Sequence, residues 1–419
     1  MEPHILSVLP FVLLLLAIAI MPFVAPKFWH KNFPVVSVAL ALSTTVYYFV
    51  NSSAGSLLHA VEEYVMFISL LVGLYVVSGG IVIDIKGLAT PLRNTILLAV
   101  GGVLSNIIGT TGASMLLIRP FIKTNKLRIT NFHIVFFIFI VSNVGGSLTP
   151  IGDPPLFLGF LKGVPFFWIT DKVFFKWLLA LSILLILFFI ADYINFKKAP
   201  QEIEEKESKA KEKIRIRGGM NFIFLAVVVG SIFITEPLFL REAIMLVTAF
   251  VSYKLTKKEL HKRNHFSFFP IKEVAWLFVG IFITMTPALE LLRVHSSGLG
   301  ITTPTQYFWL TGGLSGFLDN APTYLTFLTA SMGLYGLDVN KVSDVLQFVA
   351  SHEAHVVAIS ISAVFFGAMT YIGNGPNFMV KSIADSQNVE TPSFFGYMGK
   401  FSLPILVPIY LLIWWLFIV

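Results

Sequence analysis

Apolar residues along this chain run in unbroken blocks about as long as a bilayer is thick, instead of alternating or returning every third or fourth position. Ten blocks read as spanning segments. In the first half they are Ile5–Val24, Pro34–Val50, Val61–Ile83, Asn131–Lys162 and Val173–Ile194. In the second half they are Met220–Ile234, Pro237–Lys254, Lys272–Leu292, Leu346–Ala384 and Phe395–Val419. Two further blocks, Thr95–Ile122 and Thr305–Leu334, are too long for one crossing and have small polar residues at their centres. The first reads Leu104-Ser105-Asn106-Ile107-Ile108-Gly109-Thr110-Thr111-Gly112-Ala113-Ser114, the second Leu314-Ser315-Gly316-Phe317-Leu318-Asp319-Asn320-Ala321-Pro322-Thr323. Both are read as re-entrant helical hairpins with tips near mid-membrane, a single tilted span being the alternative.

Two of the spans cannot be continuous helices. Ser142 to Pro155 packs glycines, three prolines and one carboxylate into an apolar run, and proline removes a donor and clashes with the preceding turn. Its pattern returns downstream: Gly146-x-x-Thr149-x-Ile151-Gly152-Asp153-x-Pro155 matches Gly367-x-x-Thr370-x-Ile372-Gly373-Asn374-x-Pro376. Glu63 precedes Ser105 by the same interval as Glu273 precedes Ser315. Broken backbone at membrane depth is tolerated only where protein or a water-filled cavity surrounds it, and paired interrupted segments point to a transport site. The expected fold is an all-α polytopic membrane protein: an inverted repeat of five spans plus one re-entrant hairpin each, about 10 spans and 2 hairpins, with two broken helices. The first repeat covers 1–195 (hairpin 95–122, broken helix 131–162), and a charged cytoplasmic linker covers 196–218. The second repeat covers 219–419 (hairpin 305–334, broken helix 346–384).

Composition agrees with this class, at 56% hydrophobic and 13% charged residues. No cysteine is present, which removes thiolate metal sites and Cys nucleophiles. The net charge of +7 does not imply nucleic acid, because Lys and Arg cluster in short loops beside apolar spans. With hairpins that return to their own side and both termini outside, the inner loops hold all of the 30 Lys and Arg except Lys162, Lys172, Lys176, Arg241, Arg293 and Lys341. The expected location is a bacterial inner membrane, termini periplasmic. Ile5–Val24 lacks a basic leader and is read as a retained first helix.

Hairpin tips and helix breaks gather unpaired backbone groups and polar side chains around one cavity. Sodium needs hard oxygen ligands, which carbonyls, hydroxyls and carboxylates supply. Ser105, Asn106, Thr110, Thr111, Asn143, Thr149, Asn320, Thr323, Thr370 and Asn374 are placed to contribute as substrate ligands. A Ser or Thr hydroxyl can equally bond its own helix carbonyl. Asp153 and Asp319 are expected to couple ion and proton, since a mid-membrane carboxylate is costly and marks function by default; the alternative is capping of a half-helix N-terminus. A Na+ site is expected from Asp153, Asp319, Asn106 and Asn374. Glu62, Glu63, Asp84, Glu273, Glu290, His352, Glu353 and His355 lie at helix ends and read as interfacial.

At these motifs the chain resembles the ion transporter superfamily, which groups NhaD-type sodium/proton antiporters, arsenite permeases and sodium-coupled citrate or dicarboxylate carriers of citrate transporter-like fold. Ser105-Asn106 with Thr110 to Ser114 looks like its Ser-Asn-Thr tip, and Thr149 to Pro155 and Thr370 to Pro376 look like its unwound Gly-Thr-Pro-Pro-Asn elements. The resemblance implies a homodimer with scaffold and mobile transport domains and elevator-type alternating access. Carboxylate carriers have neutral tips. The second tip here, Asp319-Asn320-Ala321-Pro322-Thr323, departs from that pattern and looks like the NhaD side, implying exchange of Na+ or Li+ for H+ without a cofactor. A sodium-coupled citrate or dicarboxylate symporter, or another anion permease, is the alternative. An intramembrane aspartyl protease using both Asp residues is a remoter one.

Overall fold

In lipid every backbone polar group must be paired within the protein, and a helix does this inside one segment. The computed structural model, which describes residues 3–51, 54–88, 90–209 and 213–419, is accordingly helical almost throughout. The chain opens with α1 (Leu9–Val24), α2 (Pro26–Asn51) and α3 (Ala54–Gly79). Gly79-Gly80 ends α3 before the expected Ile83, and the β-branched residues that follow form a strand, β1 (Val82–Lys86).

Next comes α4 (Pro91–Thr124), 34 residues long but not a rod. Gly109 has φ +77°, a backbone conformation open to glycine and costly for other residues. The side-chain amides of Asn94 and Asn125 exchange hydrogen bonds of 2.7 and 2.8 Å. A straight helix would separate residues so far apart by about 46 Å. The element therefore doubles back at Gly109, as expected of the first hairpin.

The first broken helix follows as α5 (Asn131–Ile140), a 3-10 turn at Val144–Leu148, and α6 (Pro154–Lys162). After α7 (Phe166–Lys197) and α8 (Gln201–Lys209) comes β2 (Lys213–Arg217), antiparallel to β1 with Ile83 opposite Ile216. The charged segment read as a solvated linker thus contributes a strand: Lys-Ile-Arg-Ile-Arg alternates with the strand period of two. Part of that segment, residues 210–212, lies outside the described residues.

The second half contains α9 (Met220–Ser231), α10 (Leu240–Leu255), α11 (Lys258–Arg263) and α12 (Phe269–His295). Then α13 (Pro304–Ser315) and α14 (Asn320–Gly333) form the second hairpin, with the rings of Tyr307 and Phe327 from opposite arms 6.3 Å apart. The second broken helix differs from expectation at its start. Val342–Ser351 is a separate helix, α15, meeting α16 (Glu353–Phe366) at 99°. Buried Val345, Phe348 and Val349 give α15 one apolar face, so it packs sideways instead of extending α16. A turn at Gly367–Met369 leads to α17 (Gly375–Ser386), and α18 (Phe394–Phe417), π-wound over Met398–Leu406, closes the chain.

Among the described residues eight helices are long and apolar enough to cross a membrane, or up to nine if the bent pair is one span. The eight include α4, the first hairpin, so seven of the ten expected spans are among them; α9 and α10 are short, and the second broken helix is the bent pair. Two sets of helices pack mainly among themselves. In one, α12 lies along α2 and α3, with α1, α9 and α10 around them. In the other, α13 lies along α16, and α4 against α7 and the 144–148 turn. The sets meet where α12 touches α14 and α3 touches α4.

Candidate functional site

Each chain break is held open by its own sequence. Pro154 and Pro376 occupy the first turns of α6 and α17, where a missing N–H costs nothing. Asp153 and Asn374, the residues before those helices, take extended backbone. The turn preceding α6 is drawn tight: a Cβ on Gly152 would sit 1.9 Å from the Gly146 carbonyl oxygen, so only glycine fits.

These breaks deliver four segments to one carboxylate. Asp153 is 1% exposed. Thr110, just past the Gly109 reversal, donates its hydroxyl to Asp153 Oδ1 at 2.7 Å. Asn374 Nδ2 donates to the same oxygen at 2.9 Å, and Asn320 Nδ2 to Oδ2 at 2.5 Å. Hence both hairpin tips and both helix breaks end on Asp153, through neutral donors alone. The Asn374 amide also donates to Asn143 Oδ1 at 3.2 Å, and Asn143 Nδ2 to Asn377 Oδ1 at 2.7 Å. Asn377 in turn donates to the carbonyls of Gly367 and Thr370, at 2.7 and 2.9 Å. Sequence reading had passed over Asn377, although an amide three positions beyond Asn374 in an apolar run is a signal of the same kind.

The remaining candidates stand apart from the carboxylate. Asp319 is half-buried and accepts the Ala321 backbone N–H at 3.0 Å, capping α14. Asn106 Oδ1 accepts from Leu148 N at 2.9 Å, and its Nδ2 donates to the Gly145 and Gly102 carbonyls at 2.6 and 3.1 Å. Ser105 donates to the Val141 carbonyl at 2.7 Å, Thr149 to that of Asn106 at 2.7 Å, and Thr370 to that of Gly316 at 2.6 Å. Thr323 bonds the Asp319 carbonyl at 2.8 Å, one turn back on its own helix. These side chains fasten tips to breaks. Of the four residues expected to share a sodium ion, only Asp153 and Asn374 bond each other.

Beside Asp153 lies a cavity of about 60 Å³, bounded by Thr110, Thr111, Gly152 and, on the α3 and α12 side, Leu74, Tyr75 and Ile271. That volume admits a small cation with a water or two. Among the described residues no three His, Cys, Asp or Glu side chains gather as a metal site, so a cation here would rest on one carboxylate with neutral oxygens.

Two buried ionic groups were missed in the sequence. Asp192, fully buried in α7, meets Arg128 through both carboxylate oxygens and takes His133 Nε2 at 3.0 Å and Asn94 Nδ2 at 2.7 Å. Arg128 had been read as one more inner-loop cation, though an acid inside Phe188-Phe189-Ile190-Ala191-Asp192 demands a partner. Lys162, 5% exposed, pairs with Glu63 of α3 and donates to Asn340 Oδ1 at 2.6 Å. Among the other helix-end ionisable groups, Asp84 pairs with Arg217 at 3.3 Å and Glu353 with Lys172 at 3.0 Å near the surface.

A citrate-transport family, CitMHS_2, described as "Putative citrate transport", matches residues 2–418 of the chain. None of the curated proteins matches it.

Proposed function

Because the chain belongs to the CitMHS_2 citrate-transport family, we propose that it carries citrate or a related di- or tricarboxylate, driven by a cation, Na+ or H+, taken up at Asp153. As a member of that family it is an integral-membrane secondary transporter and not an enzyme. The observation that carries the cation site is Asp153 itself, its buried carboxylate accepting from Thr110, Asn320 and Asn374. An ionised Asp153 repels an incoming carboxylate. A proton or sodium ion there cancels the charge and frees donors on both tips. The N-terminal ends of α6, α14, α17 and the second arm of α4 then present positive dipole ends to an anion. The cation binds first, and the anion follows.

The matched bonds of the two halves support an inverted repeat of 1–195 and 219–419 about the linker 196–218. Thr149 reaches the Asn106 carbonyl as Thr370 reaches that of Gly316, and Ser105 reaches Val141 as Ser315 reaches Ala363. The two packing sets support an elevator in which hairpins and broken helices move against α1–α3, α9, α10 and α12. We extend the proposal to a homodimer with both termini periplasmic, which the placement of Lys and Arg supports.

A second reading, Na+(Li+)/H+ exchange of NhaD type, is favoured by one observation: among the described residues no Lys or Arg lines the cavity at Asp153. Purified protein in proteoliposomes separates the two. Labelled citrate should accumulate under an imposed Na+ or pH gradient. Proton movement on adding Na+ or Li+, with no citrate uptake, would transfer the assignment to the exchanger.

A further inference from the structure

Arg119 has no role in the site described so far. It lies on the returning arm of the first hairpin, about 13 Å further from the tip than Thr110. On the same arm Gly112 lines the Asp153 cavity, and Met115 and Arg119 follow at helical spacing on that face. Met115 belongs to one buried cluster with Tyr75 and Ile271, two residues of the cavity wall, and Met379 of α17 packs against that cluster. Arg119 is partly buried one turn beyond Met115, with Tyr75 beside it. Its Nη1 is buried and has no hydrogen-bond partner. The Tyr75 hydroxyl donates to the Ser267 carbonyl at 2.8 Å.

A guanidinium stays charged and has five donors in a planar fork, so a buried, unpartnered nitrogen is a costly arrangement unless something binds it. The other inner cations nearby behave differently: Lys123 and Lys126 are exposed, as residues that merely mark the inner face should be, and Arg128 is buried against the Asp192 carboxylate. The returning arm thus runs from a buried carboxylate beside the tip to a guanidinium about 13 Å further along. Between them on that face lies Met115, whose flexible side chain yields readily to a guest.

We infer that Arg119 is the recognition residue for the anionic substrate, its guanidinium taking one terminal carboxylate of a citrate-class anion in bidentate fashion while the coupling cation rests at Asp153. This inference rests on the carboxylate-transport reading above. It divides the work: Asp153 sets cation dependence, Arg119 sets anion affinity.

The test compares wild type, Arg119→Gln, Arg119→Lys and the exposed control Lys123→Gln. Citrate binding is measured calorimetrically on the purified full chain at fixed Na+ and pH, and citrate uptake in proteoliposomes. Arg119→Gln should raise both Kd and KM for citrate by at least about tenfold, with a smaller change in maximal rate, because one charge-assisted bidentate contact is lost. Arg119→Lys should fall between, keeping the charge but not the fork, while the dependence on Na+ or pH and the Lys123→Gln variant stay as wild type. Should Arg119→Gln not elute as a monodisperse species, Arg119→Lys decides: a raised Kd supports the assignment. Wild-type citrate affinity in the folded Arg119 variants overturns it and leaves Arg119 an interfacial anchor. A wild-type protein that binds neither citrate nor dicarboxylates overturns the transport reading itself.

Discussion

Three donors converge on Asp153, and each can be removed singly. Asp153→Asn keeps the shape but supplies one carbonyl oxygen where two charged ones stood, so gradient-driven citrate uptake should fall to background while membrane insertion, followed by fluorescence-detected size exclusion, is retained. Uptake at the wild-type rate would remove Asp153 from the coupling site. Thr110→Ala deletes one hydrogen bond of three, and a net value of about 0.5–1.5 kcal/mol sets the expected loss at roughly two- to tenfold. Glycines separate by what surrounds them. A Cβ on Gly152 would meet backbone at 1.9 Å, whereas one on Gly375 would meet nothing within 4 Å. Gly152→Ala should therefore lose folded protein, by thermal melting in detergent, and Gly375→Ala should not.

At the scale of elements, what was legible is what breaks a helix. The shared Gly-x-x-Thr-x-Ile-Gly-(Asp or Asn)-x-Pro pattern announced both broken helices, and small polar residues at the centre of an overlong apolar block announced both hairpins. The strand β2 was hidden because its isoleucines alternate with Lys and Arg in a segment dominated by charge. The 99° turn at His352 was hidden because α15 and α16 form one apolar run, and only packing separates them. Asp192 was hidden because its partners lie on α4, α5 and the loop between them, far away in sequence. That cluster fastens both ends of the first hairpin to α5 and α7. Asp192→Asn leaves the Arg128 charge buried without its counter-ion, at a cost of about 3–5 kcal/mol. The melting temperature should drop markedly, and an apolar replacement of both residues should recover much of the loss. A surface contact responds to pH instead. Burial alone would raise the Asp338 carboxyl, but the Asn340 N–H and the Arg293 guanidinium hold it below the ordinary carboxylate range. Its stabilisation is thus complete above the unfolded value and lost as pH falls through the folded one. Protection of the loop 334–341 against hydrogen exchange, relative to the intrinsic rate at each pH, should be unchanged from neutral pH down to about 4 and fall below it.

For the whole molecule, the question is whether the two helix sets move against each other. Lys162 at the end of α6 bridges them, paired with Glu63 of α3 and bonded to Asn340 beyond the second hairpin. Since the chain has no cysteine, Glu63→Cys with Lys162→Cys gives one pair on a clean background. Oxidised, it should stop citrate uptake; reduced, it should restore it. Full uptake by the cross-linked protein would mean that this contact survives the transport cycle. The Asp192 cluster has a consequence of another kind, in biosynthesis. Arg128 precedes Asp192 by 64 residues and His133 precedes it by 59. At about 5–20 residues per second, Arg128 leaves the ribosome roughly 3–13 s before the acid that neutralises it. Until α7 arrives, the base of the first hairpin carries a cation with no place in the bilayer. The smallest stretch that can settle in the membrane is therefore everything from α4 through α7, inserted together.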